Sequence, residues 1–96
     1  MPEFKTSNFE KGDVIFFRHK TSGRITHAAV CIAQNKYLHI MQGVDSRVET
    51  GFRIFERLGF SLVGALSPIQ AQAFYQAIEA EYQERQPVAA SARQAA

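Results

Sequence analysis

GRITHAAVCIAQNKYLHI, residues 23–40, holds two histidines and the chain's one cysteine within an otherwise apolar run. Residues 27–33 are rich in Val, Ile and Ala, the composition of a half-buried strand. Gln34-Asn35-Lys36 supplies turn chemistry, and the aromatic-led segment 37–41 returns as a hairpin partner. This one hairpin predicts an antiparallel sheet, and it decides which of His27, Cys31 and His39 share a face. His27 and Cys31, four apart in one strand, point the same way but lie ~13 Å from each other at the usual rise, too far for a nucleophile–base pair. If Gln34-Asn35-Lys36 is a three-residue turn, Ala33 pairs with Tyr37. Cys31 then stands opposite His39 with Cβ atoms ~5 Å apart.

Outward from the hairpin the pattern is regular. Lys11-Gly12-Asp13 is a turn signal, and Val14-Ile15-Phe16-Phe17 a short apolar strand. Thr21-Ser22-Gly23 reads as a loop and residues 46–49 as a short polar strand. Residues 51–58 place Phe52, Phe55 and Leu58 at helical spacing, enough for one or two turns, and residues 60–66 close the sheet. Ser67-Pro68 is an N-cap followed by proline at the first helical position. The helix it opens extends to about residue 85, with Ile69, Ala73, Phe74, Ala77, Ile78 and Tyr82 as its apolar side. Pro87 ends it. The expected fold is therefore α+β: one small domain over residues 1–86, with an antiparallel sheet over 13–67 and a C-terminal helix over about 68–85. Residues 87–96 form a flexible tail.

Composition removes several function classes. A single cysteine in 96 residues rules out an internal disulfide and multi-cysteine zinc sites. A formal charge of +2, with the basic residues dispersed from Lys5 to Arg93, gives no nucleic-acid footprint. No run is long enough to span a membrane, and MPEFKTSNFEKGD has no apolar signal region, so the chain is expected to be soluble and made in the cytoplasm. Two histidines without a carboxylate or thiolate at workable spacing give no metal site, and no cofactor motif is present. His19, within Arg18-His19-Lys20, has no partner visible in the sequence. Eight Phe and three Tyr supply a real core for so short a chain.

GDVIFF (residues 12–17), THAAVCIAQNKYLHI (26–40) and GVDSRVE (43–49) together resemble the second half of the NlpC-type papain-like cysteine peptidases, closest to those of phage tail proteins. The similarity covers roughly residues 12–66. It implies that His27 occupies the general-base position and His39, twelve residues later, the position that orients the base. The family nucleophile lies upstream on a helix. Only residues 1–11 precede GDVIFF here, and they contain no cysteine. Permuted relatives, which resemble lecithin-retinol acyltransferase, place the cysteine after the histidines, where this chain has none. Cys31 is thus the sole candidate nucleophile, in mid-strand without the helix N-terminus or cation that favours a thiolate.

The resemblance implies a truncated, non-catalytic pseudoenzyme acting as a structural or interaction component, associated with a phage or prophage virion and partnered by other tail or assembly proteins. One alternative is a peptidoglycan-cleaving cysteine hydrolase, using Cys31 with His39 or a nucleophile from a partner chain. Another is a module that binds cell-wall peptides without cutting them.

Overall fold

The computed structural model describes residues 2–40 and 45–85. Its elements run β1 (Val14–His19), β2 (Ile25–Ala33), β3 (Lys36–Ile40), β4 (Ser46–Thr50), α1 (Arg53–Arg57), β5 (Phe60–Leu66) and α2 (Pro68–Arg85). The five strands make one antiparallel sheet in the order β4-β3-β2-β1-β5, so the expected α+β fold with a C-terminal helix is what the chain adopts. The ends of two expectations, the strand's extension to Met41 and the tail 87–96 with its proline stop, lie outside the described residues.

Alternation along β1 feeds two cores, one on each face. Ile15 and Phe17 point to the first, with Ala29, Cys31, Tyr37, Phe55 and Ala65. Phe16 points to the second, with Leu66 and Ala71. The first face is closed by α1, whose Phe55 stacks on Phe17 at 4.3 Å between ring centroids, and by Phe9 and Phe52. The second is closed by α2 and the N-terminal segment, where Phe4, Phe16 and Phe74 meet edge to face. Such edge-on contacts suit the aromatic quadrupole and are favourable beyond the area they bury.

The start of α2 is fixed by a reciprocal capping box. Ser67 Oγ accepts from the Gln70 amide and Gln70 Oε1 accepts from the Ser67 amide, with Pro68 at the first helical position. The rest of the helix departs from expectation. Among its described side chains only Ala71 and Phe74 are drawn into the core, while Ala73, Ala77, Ile78 and Tyr82 are exposed and Ile69 is 81% exposed. A helix of 18 residues is ~27 Å long, and from Tyr75 onward every residue whose side chain is described is exposed.

The β2–β3 hairpin also corrects the sequence reading. Its loop is the two residues Gln34-Asn35, with Asn35 in the left-handed region at φ 58°, and a bulge falls between Cys31 and Ala33. Ala33 pairs with Lys36, Cys31 with Tyr37 and Ala29 with His39. Against the expected register the offset is one residue at Ala33 and, past the bulge, two from Cys31 onward. An even offset keeps every side chain on its predicted face and changes every neighbour.

The outer edge of β5 is met at Ala65 by the N-terminal segment. Lys5 and Ala65 exchange amide hydrogen bonds of 2.9 and 2.7 Å. That approach needs Gly64, at φ +147°, where a Cβ would fall 2.6 Å from Phe4 Cβ and 2.8 Å from the Lys5 carbonyl oxygen.

Candidate functional site: a histidine relay across three strands

His27 on β2, His39 on β3 and Glu49 on β4 lie on one face of the sheet. His39 is opposite Ala29, one place diagonal to His27, and opposite Arg47, one place diagonal to Glu49. Diagonal neighbours on a sheet are within reach of long side chains. His27 Nε2 is 3.0 Å from His39 Nδ1, and His39 Nε2 is 3.5 Å from Glu49 Oε1.

The direction of the relay follows from its acidic end. A carboxylate only accepts, so His39 Nε2–H donates to Glu49. A neutral His39 then carries its lone pair on Nδ1, which accepts from His27 Nε2–H. This fixes the His27 tautomer and leaves the lone pair on Nδ1, which has no hydrogen-bond partner among the described residues. An orienting partner on one imidazole nitrogen and a basic, open second nitrogen is the arrangement a general base requires.

The surroundings tune the pair. His39 is 2% exposed and lies edge-on to Phe55 at 4.7 Å. His27 is half-buried, stacked on Phe60 at 4.8 Å with 14° between the rings, and in tilted contact with Phe17 and Phe55. Burial among these rings, and secondarily the neighbouring His39, push the His27 pKa below its ordinary 6.5. A charged imidazolium is poorly solvated there, so the neutral, proton-accepting form is favoured at neutral pH.

Cys31 is not part of this relay. Paired with Tyr37, it lies two residues further along β2 than Ala29, the position facing His39. It is 1% exposed, and its thiol donates to the Ala33 carbonyl at 3.2 Å. The geometric reason is the hairpin register, which moves His39 away from Cys31 and toward His27. Cys31 here is a small apolar core residue.

His19 has a local structural role. Its Nδ1 accepts from the amides of Thr21 and Ser22 and closes the β1–β2 loop. Sequence reasoning did not assign Glu49 to the site. The available signal was its position on a strand following His39, on the residue parity that shares the histidine face. Among the described residues, no three histidine, cysteine, aspartate or glutamate side chains converge to hold a metal ion, and no helix is long and apolar enough to cross a membrane.

Two depressions flank the relay. One of about 250 Å³ is lined by Phe17, Phe55, Phe60 and Lys20 on the histidine face. The other, about 390 Å³, lies between Val30, Leu38, Ile40 and Tyr75 and reaches His27 and His39. A larger one of about 440 Å³ sits away from the histidines, beside the Lys5–Asp13 ion pair. That pair is structural: Asp13 also accepts from the Glu10 amide and ties the N-terminal segment to the start of β1.

Comparison with known proteins finds no matching family model, no matching curated protein and no matching solved structure.

Proposed function

We propose that this chain is a non-catalytic interaction component that retains the base-bearing half of an NlpC-type hydrolase site, and that it works among other proteins of a phage or prophage tail. The observation that supports this reading is the division of the site. The His27–His39–Glu49 relay is complete, while the only thiol in the chain is buried and hydrogen-bonded to the Ala33 carbonyl. A base and its orienter cannot form a covalent intermediate by themselves. Removing the nucleophile from a triad abolishes nearly all rate, on the order of a million-fold in the measured subtilisin case. The tail context comes from the motif resemblance alone.

The test is hydrolysis of purified cell wall and of small ester and amide substrates by the parent chain, Cys31→Ala and His39→Ala. No turnover above background is expected from any of them. Turnover in the parent that disappears in both variants would make Cys31 and His39 a working pair and overturn the proposal.

One observation favours a second reading, in which a partner chain supplies the nucleophile. His27 Nδ1 is unpartnered among the described residues, and its imidazole is held in the neutral form. Activity that arises only on adding a tail protein bearing a reactive cysteine, and is lost with His27→Ala, would select this reading over the first.

A further inference from the structure

The two edges of the sheet differ. On the outer side of β5 the N-terminal segment pairs at one bridge, Lys5–Ala65. β4, at the opposite edge, pairs with β3 on one side and, among the described residues, with nothing on the other. An exposed edge presents unpaired amide and carbonyl groups that can pair with another strand. Proteins commonly blunt such edges with proline, bulges or charge. β4 has no proline, and its five pairs with β3 run without irregularity.

Its sequence is Ser46-Arg47-Val48-Glu49-Thr50. The charges have opposite sign, flank one valine and lie on one face. That pattern is complementary to itself. When two copies pair antiparallel about a two-fold axis at Val48, Arg47 faces the partner's Glu49 and Glu49 faces the partner's Arg47, while the two valines oppose each other. Directly opposed unlike charges stabilise a strand pair.

The alternatives are disfavoured by the same residues. An axis perpendicular to the sheet keeps like faces together, so the register can slip only in steps of two. One slip sets Arg47 against the partner's Arg47 and Asp45 against the partner's Glu49. The opposite slip sets Glu49 against the partner's Glu49. A register centred on Ser46 would also oppose Asp45 and Arg47, but it overlaps the two β4 strands at Ser46 alone. Only the Val48-centred register therefore joins opposite charges while pairing β4 over its full length.

We infer that β4 is a homodimerisation edge, at which a second copy of this chain pairs antiparallel about Val48 and the two sheets become one. Three features of the single chain fit this occupant. Val48, 52% exposed, ends a cross-strand apolar row formed with Leu38 and Val30, and the partner's Val48 continues that row. Arg47 has no ion pair among the described residues. Glu49 offers Oε1 to His39, and its other carboxylate oxygen is available to the partner's Arg47. The dimer thereby adds a cation to the acidic end of the histidine relay. The inference stands on the edge strand and does not depend on the proposed function.

Sedimentation velocity on the full chain over a dilution series tests it, with circular dichroism to confirm folding. The expected species is twice the 10.8 kDa monomer, dissociating on dilution and more readily at high salt. Arg47→Glu and Glu49→Arg each turn both cross-strand ion pairs into repulsions. Each should raise the dissociation constant roughly tenfold or more. An equimolar mixture of the two variants should restore a mixed dimer, as should R47E/E49R within one chain. If Glu49→Arg fails to fold, Arg47→Glu alone decides, since Arg47 makes no ion pair within the described chain. A parent that stays monomeric at every concentration overturns the inference. So does a dimer that withstands Arg47→Glu, which would place the contact on the exposed apolar strip of α2 or on another surface.

Discussion

The rings of His27 and His39 meet edge-on, with centroids 5.2 Å apart and 87° between their planes, and the contact joins Nε2 of one to Nδ1 of the other at 3.0 Å. A perpendicular arrangement aims the N–H of one ring at the in-plane lone pair of the next. Phe55 holds His39 edge-on, and Phe60 holds His27 by stacking. Each imidazole is thus held by aromatic packing and by a hydrogen bond to the other imidazole, and His39 also by Glu49.

His27 should titrate below the ordinary histidine range, because burial and the adjacent His39 disfavour its charged form. The unfolded chain then binds a proton that the folded chain resists, so the stability this histidine contributes is present above about pH 6.5 and is lost as the pH falls through the folded pKa. Two-dimensional NMR of the imidazole protons gives the pKa directly. Urea midpoints on either side of that window should decrease toward acid. A His27 pKa above the ordinary value would contradict the geometry.

His39→Ala removes a fully buried ring that serves one partner on each side. The loss should be about 1–3 kcal/mol, from the unpaired His27 Nε2–H and the space left beside Phe55. In the same variant the His27 pKa should rise, since the nearby His39 is the second cause holding it down. Chemical denaturation and the His27 titration measure the two effects independently.

Cys31 should resist iodoacetamide in the folded protein and react only as the chain unfolds, because its thiol is shielded and donates to the Ala33 carbonyl. The same acceptor sets the effect of substitution. Cys31→Ser retains a donor within reach of Ala33, so the loss should be ~1 kcal/mol, below the larger penalty of a hydroxyl buried without a partner. Fast labelling at neutral pH under native conditions would show that the thiol is open.

Gly64→Ala should be among the most damaging single-methyl additions in the chain. The new Cβ would sit 2.6 Å from Phe4 Cβ and 2.8 Å from a backbone oxygen, at a φ that side chains rarely adopt. A loss of roughly 1–3 kcal/mol is expected. Because the clash pushes the N-terminal segment off β5, the amides of Lys5 and Ala65 should also lose hydrogen-exchange protection. Gly23→Ala has open space around the new methyl and serves as the control for the cost of positive φ alone.

Most of the element boundaries were legible because their signals are local. Alternation in Val14-Ile15-Phe16-Phe17, the helical spacing of Phe52 and Phe55, and Ser67-Pro68 each act over a few residues, and the strands and helices formed where these signals lie. The apolar face assigned to α2 was not realised beyond its start. Sequence periodicity shows which side of a helix could be buried, but not how far along it there is a sheet to bury it. For that reason Phe74 is packed on Phe16 while Ile78 and Tyr82 are exposed.

The sequence by itself determined that His27 and Cys31 share one face, since side chains four apart in a strand point the same way. Whether His39 joins them depended on the hairpin register, which the sequence left open. Tertiary structure decided which of them meet. The left-handed Asn35 shortens the loop to two residues, and the bulge between Cys31 and Ala33 offsets the pairing. His39 thereby lies beside His27, and Cys31 faces Tyr37. The third member, Glu49, joins only because β4 is laid against β3 with Val48 opposite Leu38. That register depends on the whole hairpin and on the packing above it, so no short stretch of the sequence carries it.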